Sequence, residues 1–495
     1  MVMRQSNLFT VFHTLGQLII VQGFLLLIPL FFTFPFGEKE YLHIFLLPAV
    51  ISFFSGFVLF KIFRPGKIYF LQSLLICGMS WIVLCFLGCL PFYFEGSMSF
   101  VDAYFETVSG FTTTGITLIN DIEILPRSIL LWRSLIQWLG GLGILTLFLA
   151  ITFKSNNAYF HLFFAESHKI SSTRPAPNIK KTIIILWSIY VVFTFTEAIV
   201  LGILGMSPFD AVCHSMTTLS TGGFSTYNAS IGYFKAAGYK NYVIIEYVIL
   251  FFMFLGGVNF IIHYLILSGR FRSALSDSEF RLFFLIIIVS SFLIMLDKYF
   301  SCSRDYFHSL EENIRTTLFT VVSIVTTTGF GTRDINDSFF SHSARQLFLA
   351  LMLIGGSVGS TSGGIKVLRI LILFRLFKQQ IKRLRLPRNA LSSLVIEKKI
   401  FSDFEIQRIT GLFFGWLLLL FAGGIITSLF TNLDGWQSFS GMFSAVGNIG
   451  PCFFSVREMS EIPVVVKITY IFGMLAGRLE ILPVILLFSP RAWTG

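Results

Sequence analysis

Charge is what this sequence has least of. Of its 495 residues only 13% are Asp, Glu, Lys or Arg while 55% are hydrophobic, and the mean hydropathy is +0.78. A soluble globular domain carries about 25% charged residues, so that class is excluded and lipid is the solvent for most of the chain. Cysteine is sparse too: Cys77, Cys85, Cys89, Cys213, Cys302 and Cys452 are scattered, with no metal-ligand spacing and no implied disulfide framework. His13, His43, His161, His168, His214, His263, His308 and His342 show no ligand clustering and are assigned no role. No HExxH or Walker-type loop occurs, and Glu197 and Glu246 are isolated acids rather than the convergent set that catalysis needs. An enzyme is not expected, nor a cofactor resident in this chain; Glu197 alone reads as a packing or coupling position. A secretory signal is absent as well, because the apolar run from about Leu8 to Phe34 behind Arg4 is too long and has no small-residue cleavage site.

What is present is one apolar window after another. Windows near 8–34, 42–63, 69–93, 128–153, 182–205, 242–268, 280–300, 344–376, 409–430 and 463–488 are long enough to cross ~30 Å of hydrocarbon as helices. The net charge of +11 then marks sidedness, not a nucleic-acid partner. Four connections are basic: Lys61, Arg64 and Lys67; Lys154, Lys169, Arg174, Lys180 and Lys181; Arg270, Arg272 and Arg281; and the run Arg375, Lys378, Lys382, Arg383, Arg385, Arg388, Lys398 and Lys399. These are expected to be cytoplasmic. Segments bearing Glu38, Glu40, Glu95, Asp102, Glu106, Asp121 and Glu123 are then external, and ten spans put both termini in the cytoplasm.

Between alternate spans lie four segments too short to cross the bilayer: Asp102-AYFETVSGFTTTG-Ile116, Asp210-AVCHSMTTLSTGG-Phe224, Thr316-TLFTVVSIVTTTG-Phe330 and Trp436-QSFSGMFSAVGNIG-Pro451. Each reads as a re-entrant hairpin, a short helix in and an extended strand out. Aligned on Gly115, Gly223, Gly329 and Gly450 they recur at intervals of 108, 106 and 121 residues; Gly222 is a second possible anchor in the second copy, at the cost of the register. A Gly motif recurs in the following spans: Leu139-GGLG-Ile144, Leu255-GGVN-Phe260, Ile354-GGSV-Gly359 and Ala476-GRLE-Ile481. Gly141, Gly257 and Gly356 are paired here with Gly477, which sets Arg478 against Leu142, Val258 and Ser357. The expected fold is an all-α polytopic membrane protein, with four span–pore-hairpin–span repeats around one pseudo-fourfold pore plus two extra N-terminal transmembrane helices. The divisions are 1–66 for the helix pair, then 67–178, 179–272, 273–390 and 391–495.

Bare backbone at membrane depth is tolerated only inside protein or against a water-filled cavity, so the hairpins face inward. Four Thr/Ser-rich strands can aim rings of carbonyl oxygen at a dehydrated monovalent cation, and Gly lets successive carbonyls turn the same way. The expected selectivity filter is Thr112, Thr113, Thr114 and Gly115; Ser220, Thr221, Gly222 and Gly223; Thr326, Thr327, Thr328 and Gly329; and Asn448, Ile449 and Gly450. No Arg or Lys occurs in Thr112 to Ile116 or Thr326 to Gly331, while helix C-terminal ends and the acidic external segments favour cations. The fourth copy, without the Thr run, predicts an imperfect ring and lower selectivity than in a symmetric tetramer.

TTTG, STGGF, TTTGF and VGNIGP in this order, followed by GGSVGSTSGGIKV and GRLEILP, resemble the Trk/Ktr/HKT potassium transporter superfamily over essentially the whole chain, closest to the Trk system membrane subunit. The resemblance implies K+ as the transported ion, with Gly at all four filter positions, and a homodimer in the bacterial inner membrane. It also implies gating by a cytosolic nucleotide-binding regulatory subunit, to which any NAD(H), ATP or ADP belongs. Gly355, Gly356, Ser357, Gly359, Ser360, Thr361, Ser362, Gly363, Gly364 and Lys366 interrupt a span; the loop is a gate under the filter in the family, whereas small residues in spans also serve close helix packing. Arg478 is a charge within a span, which the resemblance places just below the filter as a barrier and gate contact; pairing with Glu480 is the plainer alternative. The basic run from Arg369 to Lys399 suits lipid headgroups or a docked regulator. Coupling to Na+ or H+ is left open.

Overall fold

A computed structural model of the protein describes residues 2–64, 66, 68–143, 146, 179–301, 310–385, 387, 394–396, 399–490 and 493. Lys67, Lys154, Lys169, Arg174, Arg388, Lys398, Cys302, His161, His168, His308 and the second half of the expected 128–153 span lie outside these residues, apart from Thr146.

The chain is an all-α polytopic membrane fold. Helices α1 (Val2–Phe32) and α2 (Leu42–Ile62) form an antiparallel pair. They cross closely at Gly16 and Gly56, where a methyl group on either would press on the other helix's backbone within 3 Å. The first repeat follows as α3 (Phe70–Gly88), α4 (Phe100–Phe111) and α5 (Arg127–Leu142). The second is α6 (Ile179–Ile203), α7 (Pro208–Leu219), α8 (Tyr242–Gly257) and α9 (Phe260–Leu267). The third is α10 (Ser278–Ser301), α11 (Leu310–Val325), α12 (His342–Ile354) and α13 (Val367–Arg383). A two-stranded antiparallel ribbon, β1 (Leu394–Ile396) and β2 (Lys399–Phe401), precedes the fourth: α14 (Asp403–Phe430), α15 (Gly435–Gly447), α16 (Val464–Arg478) and α17 (Leu482–Leu487).

Six of the ten apolar windows are long helices among the described residues. The first spans α6, α10 and α14 turn large side chains such as Phe195, Phe292 and Leu418 outward, as a lipid face requires. Helix α3 is mostly buried instead, because α1 and α17 pack on it.

The remaining four windows, one after each hairpin, are all broken, although only 344–376 was expected to be. Helix α5 stops at Gly143 with φ +89, α12 at Gly355 with φ +73, and α16 is followed by Glu480 and Ile481 at φ +57 and +66; residues at positive φ cannot continue a right-handed helix. Helices α8 and α9 meet at 103° across Val258 and Asn259.

The same region corrects the register of the Gly motif. A methyl on Gly140 would strike the Phe111 carbonyl, one on Gly477 the Val446 carbonyl, and one on Gly256 would lie 3.2 Å from the Leu219 carbonyl. Phe111, Leu219 and Val446 each stand four residues before the aligned Gly115, Gly223 and Gly450. Gly477 therefore matches the first Gly of each pair, and Arg478 stands where the other repeats have Gly141, Gly257 and Gly356.

The repeats close into a ring. Helix α5 packs on α7, α8 on α11, α12 on α15 and α16 back on α4, so each post-hairpin helix covers the next repeat's pore helix.

Candidate functional site

Three of the hairpin helices start on polar caps. Ser99 accepts from the Asp102 amide, Ser207 from that of Asp210 and Asp434 from that of Gln437. At their inner ends a common backbone pattern takes over: Thr114, Gly222, Thr328 and Ile449 donate to the carbonyls of Ser109, Thr217, Ser323 and Ser444 at 2.8 to 3.1 Å. A hydroxyl residue thus sits six positions before each of Gly115, Gly223, Gly329 and Gly450. Ser109 and Ser323 donate to the Ile116 and Phe330 carbonyls at 2.5 and 2.7 Å, while Ser444 accepts from the Gly450 amide at 3.0 Å. That recurrence was legible in the sequence.

Each strand carries positive φ at two alternate positions: Thr113 and Gly115, Thr221 and Gly223, Thr327 and Gly329, Asn448 and Gly450. The repetition fixes the register and removes Gly222 as an anchor. A methyl on Gly115 would strike the Gly222 carbonyl, one on Gly223 the Thr328 carbonyl and one on Gly329 the Ile449 carbonyl, and one on Gly450 would lie 3.0 Å from the Thr114 carbonyl. The four strands therefore surround one axis in chain order. Thr112, Thr113, Thr114, Ser220, Thr221, Thr326, Thr327, Thr328, Asn448 and Ile449 are fully buried.

The Thr side chains at the strand starts are committed to the wall rather than the axis. Thr112 donates to Val108 and Thr326 to Val322, each at 2.7 Å, and each also meets the hydroxyl two residues on. In the fourth copy Asn448 supplies the missing polar link, donating to Thr114 Oγ1 at 2.9 Å and the Met474 carbonyl at 3.0 Å. Gln137, not singled out from sequence, struts the second strand by donating to the Gly222 carbonyl at 2.8 Å and accepting from Phe224 N at 3.0 Å.

On the side where the strands emerge, a cavity of about 480 Å³ is lined by Gly115, Gly223, Gly329 and Gly450 together with Arg133, Arg333 and Asp334. The acidic residues expected to gather cations there are mostly engaged. Asp102 accepts from Lys467 at 2.6 Å; Asp210 accepts from Ser207, Thr226 and Tyr227 at 2.6 to 2.9 Å. Glu106 forms a buried ion pair with Arg133 at 2.9 Å, and Arg133 also donates to the Ser225 carbonyl and covers the Phe224 ring. At these positions the carboxylates also serve as helix caps and wall contacts.

On the other side the segment from Gly355 to Lys366 crosses beneath the strands. Ser357 and Thr361 donate their amides to the Gly257 and Gly256 carbonyls, and the Gly359 carbonyl accepts from Phe260 N. Thr361 Oγ1 donates to the Leu219 carbonyl at 2.9 Å and approaches Gly256 O at 3.0 Å. Gly363 N reaches Thr327 Oγ1 at 2.6 Å and Gly364 N the Gly447 carbonyl at 3.0 Å. Arg478 closes the set: Nη1 donates to Thr113 Oγ1 at 3.1 Å and the Thr361 carbonyl at 2.8 Å, Nη2 to the Gly140 and Gly141 carbonyls at 2.5 and 2.7 Å. Lys366, at φ +84, turns its ammonium onto the Ser362 carbonyl, and Glu480 accepts from Arg369 at 2.6 Å. Gly355–Gly359 also spell the letters of a GxSxG nucleophile motif, but Ser357 is fully buried and its hydroxyl bonds to no His or acid. A small cavity of about 110 Å³ lies against the loop, bordered by Trp81, Trp187, Lys366 and Arg478.

Comparison with known proteins follows the same outline. The family model described as TrkH, cation transport protein, matches residues 45–494. The chain is 34% identical over 447 residues to the Trk system potassium uptake protein TrkH of Salmonella typhimurium, covering 87% of each. It is 32% identical over 503 residues to the TrkG protein of Escherichia coli K12, covering 99% of this chain and all of that one. The crystal structure of the potassium transporter TrkH from Vibrio parahaemolyticus superposes with a TM-score of 0.86 at 28% identity, covering 98% of this chain and 99% of the other.

Proposed function

The chain belongs to the TrkH family of cation transport proteins, and on that premise we propose that it carries potassium into the cell through a channel-like selective pore. The filter is formed by residues 112–115, 220–223, 326–329 and 448–450. The observation that carries the reading is the cyclic approach of the Thr114, Gly222, Thr328 and Ile449 carbonyls to the glycines of their neighbouring strands, because oxygens around one axis replace the hydration shell of a monovalent cation. The named relatives from Salmonella and Escherichia are potassium uptake proteins, which selects K+ among such ions.

The 355–366 loop and Arg478 form the gate, and this conformation is closed. Thr361 and the inner strand residues Thr113, Thr221, Thr327 and Asn448 are all buried, so water does not reach the filter from below. Arg478 adds a fixed positive charge on the ion's path. The chain resides in the bacterial inner membrane as a homodimer with both termini in the cytoplasm, and a cytosolic Trk-type subunit that binds NAD(H), ATP or ADP operates the gate. Helix α13 suits that contact or lipid headgroups: it leaves the loop and carries Arg375, Lys378, Lys382 and Arg383 beside exposed Phe374 and Phe377.

Rubidium tracer uptake into bacteria stripped of their own potassium uptake tests the reading. Expression of the chain should restore uptake that potassium competes away and sodium does not; uptake at the background level with the protein present in the membrane contradicts it.

A further inference from the structure

The loop is fastened to its neighbours by the bonds described above, and to its own repeat's first span through the side chain of Glu279. Glu279 lies in the first turn of α10 and is 7% exposed. A single oxygen, Oε1, accepts from the Val358 amide at 2.6 Å and from the Leu368 amide at 3.2 Å. Val358 belongs to the loop. Leu368 is in the first turn of α13, the helix that leads out of it, where amides have no intrahelical acceptor and a negative charge is favoured.

One carboxylate therefore joins the loop to the start of the helix that leaves it, while α10 itself packs along α13. If the loop swings away from beneath the filter, or if α13 is drawn off, both bonds break and a buried carboxylate loses its donors. We propose that Glu279 is the latch of the gate: a positioning residue that holds the loop closed and links its release to movement of α13. The inference rests on the gate reading of the loop given above.

The test is potassium efflux from liposomes containing the full chain alone, comparing wild type, Glu279→Ala, Glu279→Gln and a chain shortened within Ser357–Gly363. The Ala variant should raise efflux by at least about fivefold, as expected for a shifted two-state equilibrium. The Gln variant, which keeps an acceptor oxygen, should stay near wild type, and the potassium-to-sodium ratio should not change. If the shortened loop raises efflux and Glu279→Ala does not, the latch is wrong and the gate stands. If neither raises it, the gate reading fails and the latch with it. A fall in efflux with an altered ion ratio in the Ala variant overturns the latch in favour of a purely structural role.

Discussion

Arg478 and Thr361 meet beneath the four strands: the guanidinium from the fourth repeat donates to the carbonyl of the third repeat's loop at 2.8 Å, while the same nitrogen reaches Thr113 in the first. On the proposed reading of the strands as a filter, this charge both faces the ion and braces the loop.

Arg478→Ala is expected to raise single-channel potassium conductance. At an effective dielectric of about 20 and a separation of about 8 Å the repulsion is about 2 kcal/mol, which sets the upper limit of the rise at roughly thirtyfold. Planar-bilayer recording gives the value, and a conductance and rectification identical to wild type would remove the barrier role.

Gly223→Ala should abolish flux. Its φ is +74 and the added methyl would strike the Thr328 carbonyl, backbone that cannot yield without distorting the ring. Gly411, in α14 with no atom within 4 Å of such a methyl, is the control: Gly411→Ala should keep full flux and gain up to about 1 kcal/mol in stability. Tracer uptake and thermal unfolding of both variants decide it.

The contrast between those two glycines also shows what was legible beforehand. The hairpins, their cyclic number and the filter register could be read because Thr-Thr-Thr-Gly recurs where no apolar helix fits. The breaks at Gly143 and Val258 could not, since they lie within apolar windows that read as continuous spans; the charges and Pro483 around Ile481 did hint at a break there. The one-residue slip at Gly477 is settled by contact: only the Val446 carbonyl against it identifies its counterpart. Sequence shows the charge of Asp102 but not the Lys467 that engages it. Glu279 and Gln137 had no motif to announce them.

The Glu106–Arg133 pair is buried on both sides, so removing one partner strands the other. Arg133→Met alone should destabilise the protein by about 3–5 kcal/mol, and Glu106→Leu combined with Arg133→Met should be less destabilised than either single change. Unfolding of the detergent-solubilised chain measures this; a double variant worse than both singles would contradict it.

Glu312, at the outer end of α11, accepts from Lys235 and from Arg333, each at 2.7 Å. The bond from Lys235, then that from Arg333, holds its carboxyl down at about 2. A depressed carboxylate contributes stability that is complete above its unfolded value of about 4.3 and is lost as pH falls through the folded one. The melting-temperature difference between wild type and Glu312→Gln should hold from pH 7 to about 5 and shrink from there toward about 2; a difference that shrinks already near pH 6 would argue against the assignment.

Ion flux into liposomes containing the purified chain tests the central claim most directly, with potassium, rubidium, sodium and lithium compared in wild type, in the loop-shortened form and in that form carrying Gly115→Ser. The account predicts that potassium and rubidium cross the loop-shortened form down their own gradients with no co-ion, and that Ser at position 115, whose Cβ would strike the Gly222 carbonyl, abolishes that flux. Flux that requires an imposed sodium or proton gradient would contradict it and make the protein a coupled transporter.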